Sequence, residues 1–271
     1  MSGRYAQCFA ALSRADRGAF IPFTVLGFPD RVACARHLEI LARHADALEL
    51  GIPFSDPVAD GPTIQRASRA ALDAGVNFSA CLQLIAAVRS QNPELPIGLL
   101  VYANLVVHRS IEEFYRQAAA AGVDSVLIAD VPSEEGEPFA AAARDAGVAP
   151  VFIAPPNADD TALDRIARLG AGYTYVLTRR GITGTELAPG LPAPELLMQL
   201  KARAAPPAVL GFGISEPRHV SEGIAAGAAG VISGSAVVNR LMRLPVDGSV
   251  NADFEDWLIS MHEATRIKNI S

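Results

Sequence analysis

Cysteine is scarce and unpatterned. The three present, Cys8, Cys34 and Cys81, are odd in number, fall in helix-like stretches and show no CxxC spacing, so neither a disulfide framework nor a zinc site is indicated. Long apolar runs are missing too, none reaching the roughly 18 residues a membrane span requires. The N-terminal MSGRYAQCFAALSRADRG reads as an amphipathic helix with interspersed charges, without the basic start, apolar run and cleavage site of an export signal. A reducing, cytoplasmic setting is expected. Charged residues make up only 19% of the chain, with a net charge of -6 and no Lys/Arg cluster, which argues against nucleic acid or an anionic membrane as partner.

Several catalytic signatures are also absent. His37, His44, His108, His219 and His262 show no HExxH or paired spacing, so solvated or internally satisfied histidines are expected and no metal site is assigned. There is no GxSxG elbow, and no GxGxxG follows the first strand-like run. Acid/base chemistry by carboxylates is what remains.

What the chain does have is alternation. Eight apolar, β-branched runs recur: AFIPFTVLG, ADALELGIP, IGLLVY, SVLIADVP, APVFIAP, YTYVLTR, AVLGFGI and GVISGSAVV. Between them lie stretches of helical period such as RVACARHLEILARH, IEEFYRQAAAAG, EPFAAAARDAG, TALDRIARLG, PELLMQLKARA and RHVSEGIAAG. Helix C-caps are expected at Gly122, Gly147, Gly170 and Gly227. Strict alternation implies parallel strands with right-handed crossovers, and the count of eight selects a closed (β/α)8 TIM barrel, in class α/β, over an open doubly wound sheet. A 271-residue chain with half its residues apolar suits one such domain. An extra N-terminal helix is expected over about 3–15, the barrel over about 19–243 and a C-terminal helical cap over about 252–267.

In such a barrel catalytic groups sit at the carboxyl ends of the strands and in the loops that follow. In DALELGIP, Leu48, Leu50 and Ile52 share one face and must meet the helices, so Glu49 points into the barrel between the small residues Ala47 and Gly51. A partly buried carboxyl has a raised pKa, which suits proton transfer near neutral pH; the alternative reading is a structural acid held by a neighbouring Arg, Lys or Tyr. The proline-fixed loop PFSDPVADGPTIQ brings Asp60 to the same mouth. Asp60 alternatively caps the helix beginning at Pro62, because Asp-Gly-Pro resembles an N-cap with proline just inside. Asp56 reads as a turn or interface residue, and Asp130 as structural.

The loops after the last strands are rich in glycine. Gly213 and Gly234 would let the main chain approach a dianion closely, and Ser235 offers a hydroxyl and begins a helix, so a phosphorylated small molecule is the expected ligand class. Gly181 and Gly184 are flexible points in the loop after strand six. Phe23, Leu100, Tyr102, Leu127, Ala129, Ile153, Tyr175 and Phe212 are candidates for the walls of a flat, aromatic-friendly pocket.

These motifs carry a resemblance. LELGIPFSDPVADGPTIQ, with IGLLVYANLV, ADVPSEE, APPNADD, YTYVLTRRGITG, GFGIS and AAGVISGSAVV, closely resembles the alpha chain of tryptophan synthase, in order from about Arg4 to about Val238. The resemblance implies retro-aldol cleavage of indole-3-glycerol phosphate to indole and glyceraldehyde 3-phosphate, with no cofactor in this chain. It places the acid/base glutamate at Glu49, the aspartate that holds the indole N–H at Asp60, a pocket tyrosine at Tyr175 and the mobile-loop threonine at Thr183. The phosphate site falls on Gly184, Gly213, Gly234 and Ser235. The implied partner is a beta chain carrying pyridoxal phosphate, in an α2β2 heterotetramer, with Pro53, Asp56 and Asn104 as contact candidates. Two other readings are a non-catalytic activating subunit and another phosphate-binding barrel of tryptophan biosynthesis. Indole-glycerol-phosphate synthase would require a lysine at a strand end, whereas Lys201 and Lys268 lie outside the strands. Phosphoribosylanthranilate isomerase would require a Cys/Asp pair there, and no cysteine is so placed.

Overall fold

The computed structural model describes residues 3–177, 194–211, 213–245 and 249–267. After the helix α1 (Gly3–Arg14), the strands β1 (Ala19–Val25) and β2 (Leu48–Gly51) flank α2 (Arg31–Arg43). The crossover to β3 (Ile97–Val101) contains two helices, α3 (Pro62–Asp73) and α4 (Phe78–Gln91). Helices α5 (Ala103–Val107) and α6 (Ile111–Ala121) lead to β4 (Ser125–Ile128), and α7 (Glu137–Asp145) to β5 (Ala149–Ala154). Then α8 (Asp160–Leu169), β6 (Thr174–Leu177), α9 (Pro194–Ala202), β7 (Ala208–Gly211), α10 (Pro217–Ala225) and β8 (Gly230–Ser233) complete the alternation. Two helices follow, α11 (Ser235–Leu241) and α12 (Ala252–Glu263).

The strands pair in parallel in sequence order, and β8 returns to β1, closing an eight-stranded barrel. Closure places every strand between the barrel axis and the surrounding helices, so all seven residues of β1 and all four of β2 are buried. Parity then fixes the inner face. Phe23 pairs with Glu49, Glu49 with Gly98, Gly98 with Ser125 and Ser125 with Ala149. One layer further toward the mouth, Gly51 pairs with Leu100, Leu100 with Leu127 and Leu127 with Val151. Leu48 and Leu50, of opposite parity, are 0% exposed against the helices.

The inner face packs large against small. A Cβ on Gly51 would lie 2.9 Å from the Phe23 ring, and one on Gly211 would lie 2.0 Å from Tyr175 Cζ. Glycine at these two strand ends makes room for an aromatic from a neighbouring strand.

Polar caps set several helix starts: Asp30 accepts from Val32 and Ala33 N–H on α2, and Asn77, Ser110, Asp159 and Asn251 do the same for α4, α6, α8 and α12. Gly122, Gly147 and Gly227 have the positive φ expected at helix ends, but Gly170 does not. There the constraint is space, since a Cβ would lie 2.7 Å from the Ile166 carbonyl oxygen.

The C-terminal helix stops at Glu263, short of the expected 267, because the next residues are drawn into another pairing. Gly18 N–H donates to Thr265 O, Ile267 N–H donates to Asp16 O, and Arg17 bridges Arg266. Around this seam Arg17 pairs with Asp46 at 3.2 Å, and His44 and Arg43 reach Glu255 at 2.8 and 3.1 Å.

Candidate active site

The geometry begins with β2. Its inward parity sets Glu49 on the barrel axis, 1% exposed, with the Tyr173 hydroxyl donating to Oε1. Oε2 is buried and has no hydrogen-bond partner among the described residues. Burial pushes the Glu49 carboxyl up to about 7, against the lowering effect of the Tyr173 bond. A carboxyl poised there exchanges its proton at neutral pH.

Asp60 is presented by the loop between β2 and α3. A turn closed by Asp60 N–H to Pro57 O, 3.1 Å, fixes its backbone. The helix-cap alternative is excluded: the N-cap of α3 is Gly61 and it makes no side-chain cap bond. The Asp60 carboxylate is instead hydrogen-bonded by the side chain of Tyr102. Burial raises the Asp60 carboxyl to about 6, offset in part by that bond. Tyr102 in turn accepts the Ala59 N–H at 3.2 Å and stacks on Phe54, ring centroids 5.3 Å apart. Tyr175 is buried within the field of both carboxylates. Burial first, then Glu49 and Asp60, hold its phenol protonated.

At the opposite side of the mouth the ends of β7 and β8 are tied together. The buried Ser233 hydroxyl donates to Ile214 O at 2.7 Å, and Ser215 N–H donates to His219 Nδ1 at 3.3 Å. Gly213 has φ +74, a conformation that favours glycine. Gly234 and Ser235, half-buried, follow β8, with Ser235 opening α11. A Cβ on Gly234 would lie 3.6 Å from the Phe23 ring, so this turn borders the inner face at the level of Glu49's strand neighbour. Thr63 donates to Asn239 Oδ1 at 3.2 Å, linking the helix after the Asp60 loop to α11.

Among the expected wall residues, Phe23, Tyr102, Leu127 and Tyr175 are buried, and Leu100, Ala129 and Ile153 are partly exposed near the mouth. Ala129 and Ile153 also line a cavity of about 540 Å³ whose walls include neither Glu49 nor Asp60. Thr183, Gly184 and Phe212, with Gly181, lie outside the described residues. Asp130 accepts the Ala103 N–H at 2.8 Å and so anchors the start of α5. Of the contact candidates, Asp56 and Asn104 are exposed. Pro53 is buried in the isolated chain. Of the histidines, His219, 5% exposed, is held internally by the Ser215 N–H, and His37, 1% exposed, is buried among the core residues.

Residue reading missed Tyr173. The signal is its spacing: Tyr173 and Tyr175 are two apart in YTY, which puts both on one face of β6.

Fold and site together define a (β/α)8 barrel with two carboxyl groups of raised pKa at its C-terminal mouth. The family model for the tryptophan synthase alpha chain matches residues 9–265, and the chain belongs to that family. The tryptophan synthase alpha chain of Shewanella baltica is 56% identical over 238 residues, covering 88% of this chain and 87% of the relative. That of Vibrio cholerae is 51% identical over 267 residues, covering 97% and 99%. Among solved structures, Mycobacterium tuberculosis tryptophan synthase superposes with a TM-score of 0.86 at 28% identity, covering 97% of this chain and 98% of that one. The tryptophan synthase complex from Pyrococcus furiosus gives a TM-score of 0.80 at 31% identity, covering 91% and 98%.

Proposed function

We propose that this chain, a lyase of the tryptophan synthase alpha family, cleaves indole-3-glycerol phosphate to indole and glyceraldehyde 3-phosphate, with Glu49 as acid and base. The observation that carries the mechanism is the unpartnered Oε2 of a buried carboxyl whose pKa is about 7. Breaking the bond between indole C3 and the glycerol carbon requires a proton at C3 and loss of the C3'-hydroxyl proton. Glu49 delivers the first and removes the second, so one proton arrives at carbon, one leaves oxygen, and the bonding pair returns to the ring. Protonation at C3 places positive charge on the indole nitrogen. Asp60, with a pKa of about 6, is mostly ionised at neutral pH and stabilises that charge.

Phosphate held by Gly184, Gly213, Gly234 and Ser235 fixes the far end of the substrate and contributes through orientation. Phe23, Leu100, Tyr102, Leu127, Ala129, Ile153, Tyr175, Thr183 and Phe212 form the surround of the indole and glycerol groups. No cofactor is assigned to this chain.

The partner in this reading is a beta chain that carries pyridoxal phosphate and receives indole, in an α2β2 assembly. The supporting surface lies beside the Asp60 loop. A cavity of about 400 Å³ is lined by Phe54, Asn104, Leu105, Val107, His108 and Arg109, and Val58 and Val107 are 74% and 48% exposed nearby. Apolar residues this exposed, in the loops that hold the catalytic acid, suit a partner whose docking orders those loops.

The test is indole release from indole-3-glycerol phosphate, run with and without a tryptophan synthase beta chain. Glu49→Gln is expected to abolish release while glycerol phosphate still binds. Substantial turnover by that variant would refute the acid/base assignment.

A further inference from the structure

Tyr5 belongs to α1, outside the barrel wall, yet it is among the largest fully buried side chains. Its hydroxyl shares a hydrogen bond with Ser125 Oγ at 3.0 Å, and its ring lies 5.5 Å from the ring of Tyr173, whose phenol donates to Glu49. The barrel makes room for it. A Cβ on Gly98 would lie 2.9 Å from the Tyr5 hydroxyl and 2.7 Å from Ser125 Oγ, and one on Gly172 would lie 3.5 Å from the Tyr5 ring. Neighbouring Arg4 fixes the helix in place, with Nη1 2.9 Å from Asp124 and Nε donating to Pro93 O at 2.6 Å. Phe9, one turn on, stacks against the Tyr5 ring at 6.2 Å.

We propose that Tyr5 is a positioning residue for Glu49: its ring stoppers the N-terminal end of the barrel beneath Tyr173, holding that phenol on the carboxyl and keeping water off the axis. The proposal rests on Glu49 being the acid/base. A phenol donor next to an acid/base group needs a fixed orientation, and β6 supplies only its Cα; the packing beneath Tyr173 comes from α1. Glu49 is faced by Tyr173, just before β6, by Tyr175 from β6 and by Tyr5 from α1. The charges that reach this column are Asp60, through Tyr175, and Asp124, beside Tyr5 and itself paired with Arg4 and Arg89. Burial dominates the Glu49 carboxyl, so water admitted from below lowers its titration midpoint even as the Tyr173 bond loosens.

The experiment uses the full chain and follows the Glu49 carboxyl by carbon-13 NMR, assigned as the signal missing from Glu49→Gln, together with the pH profile of indole release. Tyr5→Ala is expected to lower the midpoint by about one unit and to move the pH profile in the same direction. Tyr5→Phe keeps the ring and loses only the Ser125 bond, so its midpoint should stay near the parent's; a shift as large as in Tyr5→Ala overturns the stopper role. A folded Tyr5→Ala chain with the parent's midpoint and profile overturns the proposal, however far its Tm has dropped. If Tyr5→Ala does not fold, Tyr5→Leu, whose side chain is too small to fill the place of the ring, must shift the midpoint in the same direction; no shift there overturns it equally. Indole release by Glu49→Gln marks failure of the acid/base reading instead, and leaves the midpoint comparison to decide the role of Tyr5.

Discussion

The Tyr102 side chain holds the carboxylate of Asp60 while its oxygen accepts the N–H of Ala59, the residue just before it. One phenol just past the third strand therefore fixes both the backbone and the side chain of the acid loop. The loop's conformation and the ionisation of its aspartate are set together.

Tyr102→Phe tests this coupling. The phenol lowers the Asp60 pKa, so its removal should carry that carboxyl above about 6 and leave less of it ionised at pH 7. With Asp60 supporting the cationic indole nitrogen, kcat should fall about tenfold or more, with recovery as the pH is raised. A kcat profile from pH 5.5 to 9 checks it; a parallel drop at every pH would assign Tyr102 to packing alone.

Glu49 carries a stability cost with a definite sign. Its pKa rises from 4.5 when unfolded to about 7 when folded, so the folded state binds the extra proton between those values. Stability is therefore lost as pH climbs from about 4.5 to about 7 and is level above, by about 3 kcal/mol if nothing relaxes. Glu49→Gln should be more stable than the parent at pH 8 and nearly equal to it at pH 4.5, as read by urea denaturation at the two pH values.

Gly211 is a position where a single methyl group should matter. Its Cβ would fall 2.0 Å from Tyr175 Cζ, so Gly211→Ala must displace the Tyr175 ring. The expected result is a loss of about 1–3 kcal/mol in stability together with reduced kcat/KM. Thermal unfolding and indole release measured on the same preparation decide whether the two losses travel together.

Ser233 makes a parallel case at the phosphate end. Its hydroxyl, 0% exposed, donates to Ile214 O at 2.7 Å and fixes the turn that carries Gly213. Ser233→Ala should cost about 1 kcal/mol of stability and weaken glycerol phosphate several-fold. Calorimetric titration with glycerol phosphate checks it, and unchanged affinity would separate this bond from the anion cradle.

Much of the barrel was legible because eight apolar runs alternating with helical periods leave few topologies, and because parity along LELG sends its one acid inward. Helix α4 was legible only as a helix-like stretch around Cys81, without bounds: FSACLQLIAAVRSQ is apolar around most of its circumference, and a helix buried on several sides has weak periodicity. Tyr173 escaped because an aromatic in a strand reads as wall until its hydroxyl partner is known. That partner, Glu49, lies 124 residues away. The burial of Pro53 was not legible because membership of an exposed loop does not fix the burial of each residue in it. That Asp60 does not cap α3 could be read only from coordinates, since capping and holding a ligand require the same residue type at the same place.

Tyr173 holds one oxygen of Glu49 and leaves the other to meet both the hydroxyl group and the ring carbon. A single atom serving both gives the mouth a handedness. Cleavage should therefore be restricted to the epimer whose C3'-hydroxyl projects from the same side of the indole plane as that atom, while the opposite epimer at this carbon, anchored by identical ends, stays whole.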